Sequence, residues 1–80
     1  MISSGQIRAA RAIIGMTADE LAKLAGVGLA TIKRFESDEG IPPNRAGTLN
    51  RVKAALETAG IEFIGDPILS PGVRLRRKQA

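Results

Sequence analysis

The chain has 80 residues, enough for one small domain with a short additional segment. It lacks cysteine, histidine, tryptophan and tyrosine, which excludes disulfides, thiolate or histidine metal sites and histidine-based catalysis. We therefore expect no enzyme activity, no metal and no cofactor. The net charge of +4 suggests an anionic partner, with nucleic acid as the first candidate.

No apolar run approaches the roughly 20 residues that span a bilayer, and the N-terminus lacks the pattern of a signal peptide. We expect a cytoplasmic protein that does not associate with a membrane. A chain of this length also leaves no room for a separate sensory domain, so no small-molecule ligand is expected.

The first predicted helix begins at a cap provided by Ser3 or Ser4 and ends before Gly15, a residue suited to the left-handed position after a helix. Its apolar positions share one face: Ile7, Ala10 and Ile14. A second helix begins after Thr17, which forms a capping box with Glu20, and ends at Gly26. Its predicted apolar face consists of Leu21, Ala22, Leu24 and Ala25.

The third predicted helix begins at Gly28 and continues to about Glu36, with Ile32 and Phe35 facing the same core as the second helix. The two prolines in residues 37–44 predict a loop. Thr48 is predicted to cap a fourth helix that continues to about Ala59. Its apolar face consists of Leu49, Val52, Leu56 and Ala59.

Beyond Gly60 the pattern changes to alternating apolar and polar residues, which predicts two short strands over residues 61–64 and 72–76. A lone two-stranded hairpin is marginal in water, so it must pack on the helices or pair with another chain. Residues 78–80 are expected to fray.

Residues 17–36 combine the features of two helices joined by a tight turn. Ala22 is small enough for a close helix approach, Gly26 suits a positive φ, and Val27 fills the wedge between the helices. With Ile32 in the same wedge and Phe35 as the anchor of the second of these helices, this segment resembles the lambda-repressor-like, Xre/Cro-type helix-turn-helix DNA-binding domain. The resemblance covers roughly residues 4–60 and extends to small stand-alone bacterial regulators that end in a hairpin.

The resemblance implies a mainly α fold: a compact four-helix domain over residues 1–60, then a short C-terminal β-hairpin and basic tail over residues 61–80. It also implies a double-stranded DNA partner, read in the major groove by a dimeric repressor on a palindromic operator. The implied base contacts are Leu29, Ala30, Lys33 and Arg34, with Arg34 the best reader of guanine. The implied backbone contacts are Thr17, Thr31 and Arg45.

Three features depart from the family pattern. Ala18 stands where the family often has a phosphate-binding glutamine, and Gly28 stands where it often has serine or threonine. Residues 17–40 carry net charge −2, and Glu36, Asp38 and Glu39 follow the third helix closely. Attraction to DNA must therefore come from flanking basic residues, among them Arg8, Arg11, Arg45, Arg51 and Lys53, and from the basic C-terminus.

The hairpin suggests a homodimer interface, formed by strand exchange or edge pairing. Its predicted residues are Phe63, Ile64, Ile68, Leu69 and Val73. The alternative is a hairpin that only covers one end of its own core. For the whole protein, the alternative function is a protein-interaction module, such as an antitoxin or antiactivator, that uses the same fold to bind a protein partner.

Overall fold

The computed structural model describes residues 1–76; the part of the predicted basic tail in residues 77–80, and its predicted fraying, lie outside the described residues. A one-turn 3₁₀ helix over Arg45–Gly47 precedes the last α-helix. The other elements, in chain order, are α1 (Ser4–Ile14), α2 (Ala18–Ala25), α3 (Leu29–Ser37), α4 (Thr48–Thr58), β1 (Ile61–Ile64) and β2 (Gly72–Leu75). The predicted fold class, a mainly α four-helix domain with a C-terminal hairpin, is confirmed.

The first two helices begin and end as their local sequences predict. Ser3 caps α1, where its Oγ accepts the amide of Gln6 at 3.2 Å, and Thr17 caps α2 in the same way at 3.0 Å from the amide of Glu20. Gly15 ends α1 with φ of +66°. Both helix starts are therefore fixed by reciprocal hydrogen bonds between side chain and backbone.

The start of α4 differs from the prediction, since Thr48 is the first helical residue and Gly47 is the cap. The Thr48 hydroxyl instead donates to the carbonyl of Arg45 at 2.8 Å. The capping role passes to Asn44, whose Oδ1 accepts the amide of Asn50 at 3.1 Å. The 3₁₀ turn explains the difference, because it brings a side chain six residues away over the end of the helix.

A single core lies between the four helices and the sheet. Ile2, which precedes α1, is buried in this core although no periodic pattern marks it. Leu24 was predicted to join the apolar face of α2, and this is wrong, because 52% of the residue is exposed. It lies at the edge of that face, where it borders a shallow groove with Ala54 and Ala55 of α4. The buried apolar residues are Ile2, Ile7, Ala10, Leu21, Ala22, Ile32, Phe35, Leu49, Val52, Ala55, Leu56 and Ile61.

The hairpin packs on the helices of its own chain, with β1 against α4 and β2 against α1. The strands are antiparallel, with Ile61 opposite Leu75, and β2 ends one residue earlier than predicted. The buried Gln6 side chain fixes the hairpin to α1, because its Nε2 donates to the carbonyl of Gly72 at 3.0 Å and to that of Ile64 at 3.4 Å. The sheet is thereby joined to the helical core through both packing and hydrogen bonds.

Candidate nucleic-acid interface

The turn between α2 and α3 holds the two helices at a fixed angle. Gly26 adopts φ of +70°, and the amide of Val27 donates to the carbonyl of Ala22 at 3.0 Å. Ile32 and Phe35 are buried on the inner side of α3. Because both ends of this unit are anchored in the core, the outer side of α3 faces solvent as a rigid surface.

That outer surface carries three of the four predicted base-contacting residues. Ala30, Lys33 and Arg34 are exposed, and the turn of about 100° per residue places Ala30 between the other two in direction. Leu29 lies at the edge of this surface and is half-buried against the core. Ser37 extends the same stripe, although its hydroxyl donates back to the carbonyl of Arg34 at 3.1 Å. Ser37 is not among the predicted contacts, although its seven-residue spacing from Ala30 places it on the same face of the helix.

At the start of α2, where a phosphate contact is predicted, hydrogen bonds within the chain already use some of the polar groups. Thr17 is exposed, but its amide donates to Glu20 Oε1 at 2.9 Å while its hydroxyl accepts the amide of Glu20. Hydrogen bonds from the backbone and side chain of Thr17 lower the pKa of Glu20, so this carboxylate is ionised at neutral pH. The amides of Ala18 and Asp19 are the remaining donors near this helix end.

Arg34 and Arg45, which are predicted separately as a base contact and a backbone contact, line one cleft between the end of α3 and the start of α4. The rest of the lining consists of Phe35, Asp38, Pro43 and Thr48. Within residues 1–76 neither arginine forms an ion pair. Thr31, the third predicted backbone contact, is half-buried near Gly28 at the start of α3. The cleft thus brings two exposed arginine side chains together at one end of the outer surface of α3.

Glu36, the carboxylate within α3, is neutralised by an ion pair with α1. Arg11 binds Glu36 through two hydrogen bonds, Nε to Oε2 at 2.5 Å and Nη2 to Oε1 at 2.6 Å. Its Nη1 also donates to the carbonyl of Met16 at 2.9 Å, and the pKa of Arg11 is raised chiefly by the hydrogen bond with Glu36. Arg8 donates to the backbone carbonyl of Glu36. Both arginines thus fix the end of α3. The charge of Arg11 is paired with Glu36, whereas Arg8 is exposed and keeps its charge.

The predicted dimer residues fall into two groups. Phe63 and Val73 are cross-strand neighbours, half-buried against the core of the same chain. The other three are exposed: Ile64 by 39%, Ile68 by 57% and Leu69 by 85%. The loop that carries the last two is held by Asp66, whose Oδ1 accepts the amides of Ile68 at 2.9 Å and Leu69 at 2.8 Å. These two bonds lower the pKa of Asp66.

Among residues 1–76 there is no cluster of three or more acidic side chains arranged to hold a metal ion. In the same part of the chain, every helix is too short or too polar to cross a membrane.

The comparison with known proteins agrees with this geometry. No curated protein matches the chain. The helix-turn-helix family matches residues 7–46, which form half of the chain and extend from α1 through α2 and α3 to the 3₁₀ turn. It is a family of DNA-binding regulators and not of enzymes. The chain belongs to this helix-turn-helix family, of the Xre and lambda-repressor type.

Proposed function

We propose that the protein is a sequence-specific regulator of transcription that binds double-stranded DNA through α3. The observation that carries this proposal is the exposed stripe of Ala30, Lys33 and Arg34, whose two cations form no ion pair within residues 1–76. A cationic helix face on a rigid support is the form of surface that enters the major groove. Because the proposed partner is DNA, we also propose that the protein is cytoplasmic.

In this proposal Arg34 reads guanine, since its guanidinium can donate to both O6 and N7. Lys33 is a second base contact on the same face, and Leu29 lies at the edge. Arg45 holds a phosphate beside Arg34, because both line the same cleft. Thr17 and Thr31 are further backbone contacts. The amides of Ala18 and Asp19 support the first of these, since the amide of Thr17 already donates to the Glu20 carboxylate.

We further propose that the regulator is a homodimer that represses by occupying a palindromic operator. The exposed aliphatic side chains of Ile64, Ile68 and Leu69 support a contact between hairpins, while Phe63 and Val73 hold each hairpin on its own core. Two copies would then present their recognition helices to half-sites about 34 Å apart.

Replacing Arg34 with alanine is expected to weaken binding to a selected operator by roughly 10- to 100-fold, because the bidentate contact is lost. Selectivity at one base pair should relax at the same time. The measurement is fluorescence anisotropy at several salt concentrations, with wild-type protein losing affinity steeply as salt rises.

Arg74→Ala is the matched control, because it removes the same charge from the hairpin, where Arg74 already binds Glu62 at 2.8 Å. Its effect should be small and the same for every DNA sequence. Full, sequence-selective binding by the Arg34→Ala protein would contradict the assignment of Arg34. Failure of wild-type protein to bind any duplex at low salt would contradict DNA binding and favour a protein partner.

Replacing Leu69 with aspartate is expected to convert the proposed dimer to a monomer without unfolding it, because the side chain is almost fully exposed within one chain. Size exclusion with light scattering measures the mass of both proteins. Thermal unfolding monitored by circular dichroism checks the fold. A wild-type protein that stays monomeric at high micromolar concentration would refute this interface.

A further inference from the structure

The exposed part of the recognition helix has an uneven distribution of polar groups. Its cap, Gly28, has no side chain, and the first two helical residues are Leu29 and Ala30. The one donor in the first turn is the hydroxyl of Thr31, which is half-buried near Gly28, whereas Lys33 and Arg34 in the second turn are exposed. The exposed part of the first turn is therefore mainly apolar.

Resting on the proposed function, we infer that Ala30 selects thymine through its C5-methyl group and that this thymine lies within two base-pair steps of the guanine read by Arg34. The methyl group of thymine is the one apolar feature among the base edges of the major groove. A side chain without donors or acceptors can gain from covering it but cannot satisfy the polar edge of another base.

Ala30 suits this role better than its neighbour. It is exposed and points between Lys33 and Arg34, whereas Leu29 is half-buried and packs against the core. The alanine side chain is also short, so it lets the helix backbone approach the groove floor closely. With the helix placed once in the groove, Ala30 can therefore contact one base while Arg34 forms hydrogen bonds with another.

The spacing of the two contacts follows from helix geometry. Ala30 and Arg34 are four residues apart, which corresponds to a rise of about 6 Å along the helix. Successive base pairs are about 3.4 Å apart along each strand. For a helix lying along the groove, this rise corresponds to a spacing of about two base-pair steps between the thymine and the guanine.

The test begins with selection of duplex DNA by the wild-type protein at low salt. We expect an enriched half-site in which a thymine and a guanine lie within two steps. Each thymine of that site is then replaced in turn by deoxyuridine, which removes only the methyl group. One position should lose about fourfold in affinity. Replacing the guanine with 7-deazaguanine should cost about 10-fold or more through loss of the N7 acceptor.

Protein variants then assign each effect to a residue. With Ala30→Gly, thymine and uracil operators should bind equally well, whereas Leu29→Ala should retain the preference for thymine. With Arg34→Ala, 7-deazaguanine should cause no further loss. Circular dichroism establishes whether each variant is folded. If Ala30→Gly is not folded, Ala30→Ser replaces it, because serine keeps a side chain at this position.

The outcomes separate this inference from the proposed function. A selected site that tolerates uracil at every thymine, or whose uracil penalty disappears with Leu29→Ala and persists with Ala30→Gly, overturns the inference and leaves sequence-specific DNA binding intact. A guanine and thymine more than two steps apart would do the same. If no sequence is enriched at low salt, the proposed function fails and the inference falls with it.

Discussion

Replacing Arg11 with methionine is expected to lower the free energy of unfolding by about 2–3 kcal/mol and the Tm by roughly 10–20 °C. Arg11 and Glu36 form a bidentate pair in which the side chains are only 24% and 12% exposed. Methionine preserves much of the apolar stem but leaves the Glu36 carboxylate and the Met16 carbonyl without their donor. The loss should fall below the figure of about 3–5 kcal/mol for a fully buried pair, since water still reaches Arg11.

Chemical and thermal unfolding at neutral pH measure this effect, and Lys23→Met is the matched control. Lys23 binds Asp19 at 3.1 Å, but both side chains are exposed, so its loss should cost less than about 0.5 kcal/mol. The double variant Arg11→Met with Glu36→Leu should recover part of the stability, because no half-buried charge then lacks a partner. Equal, small losses for Arg11→Met and Lys23→Met would show that the Arg11 pair does not stabilise the fold.

The ion pair between Arg11 and Glu36 also reduces the negative charge of the motif. Residues 17–40 are net −2 in sequence, which argues against a DNA-binding surface. The structure removes Glu36 from that balance by pairing it with Arg11 of α1. The exposed face of α3 is then positive through Lys33 and Arg34, although the flanking arginines supply less free charge than their number suggests.

The predictable parts of the fold are those determined by neighbouring residues. The capping boxes at Ser3 and Thr17 and the left-handed glycines at 15 and 26 depend on groups within three or four positions of each other. The helix-turn-helix followed from these local signals together with the apolar spacing of Ile32 and Phe35. The same spacing identified the outer face of α3, because the residues that are not buried must face outward.

The unpredicted features join residues that are far apart in the chain. Arg11 and Glu36 are separated by 25 positions, and the cap of α4 by Asn44 depends on a turn with Ala46 at φ of +52°. Gln6 has no pattern that indicates its contact with Gly72, which lies 66 positions away. Leu24 fits an apolar period but borders a groove, because the facing alanines of α4 are too short to cover it. In each case the conformation or exposure of the residue depends on a contact partner that its neighbouring sequence does not indicate.

Replacing Phe35 with alanine is expected to give the largest loss of stability, about 3–5 kcal/mol. The side chain is 2% exposed and anchors α3 in the core, so its truncation leaves a cavity that the surrounding helices fill only in part. A domain of this size commonly has only about 3–5 kcal/mol of stability from its core. We therefore expect Phe35→Ala to be largely unfolded at room temperature, with a circular dichroism spectrum that lacks the helical minima.

Two other substitutions test whether this loss of stability comes from the buried position of Phe35 or from its aromatic ring. Phe35→Leu fills most of the space and should cost no more than about 1.5 kcal/mol, so this variant should fold and bind DNA with the arginines of the cleft in place. Leu24→Ala removes an aliphatic side chain of the same motif from the surface groove and should cost less than about 1 kcal/mol, because that side chain is already half in water. If Leu24→Ala were as destabilising as Phe35→Ala, the groove would belong to the core, and the observed position of α2 against α4 would be wrong.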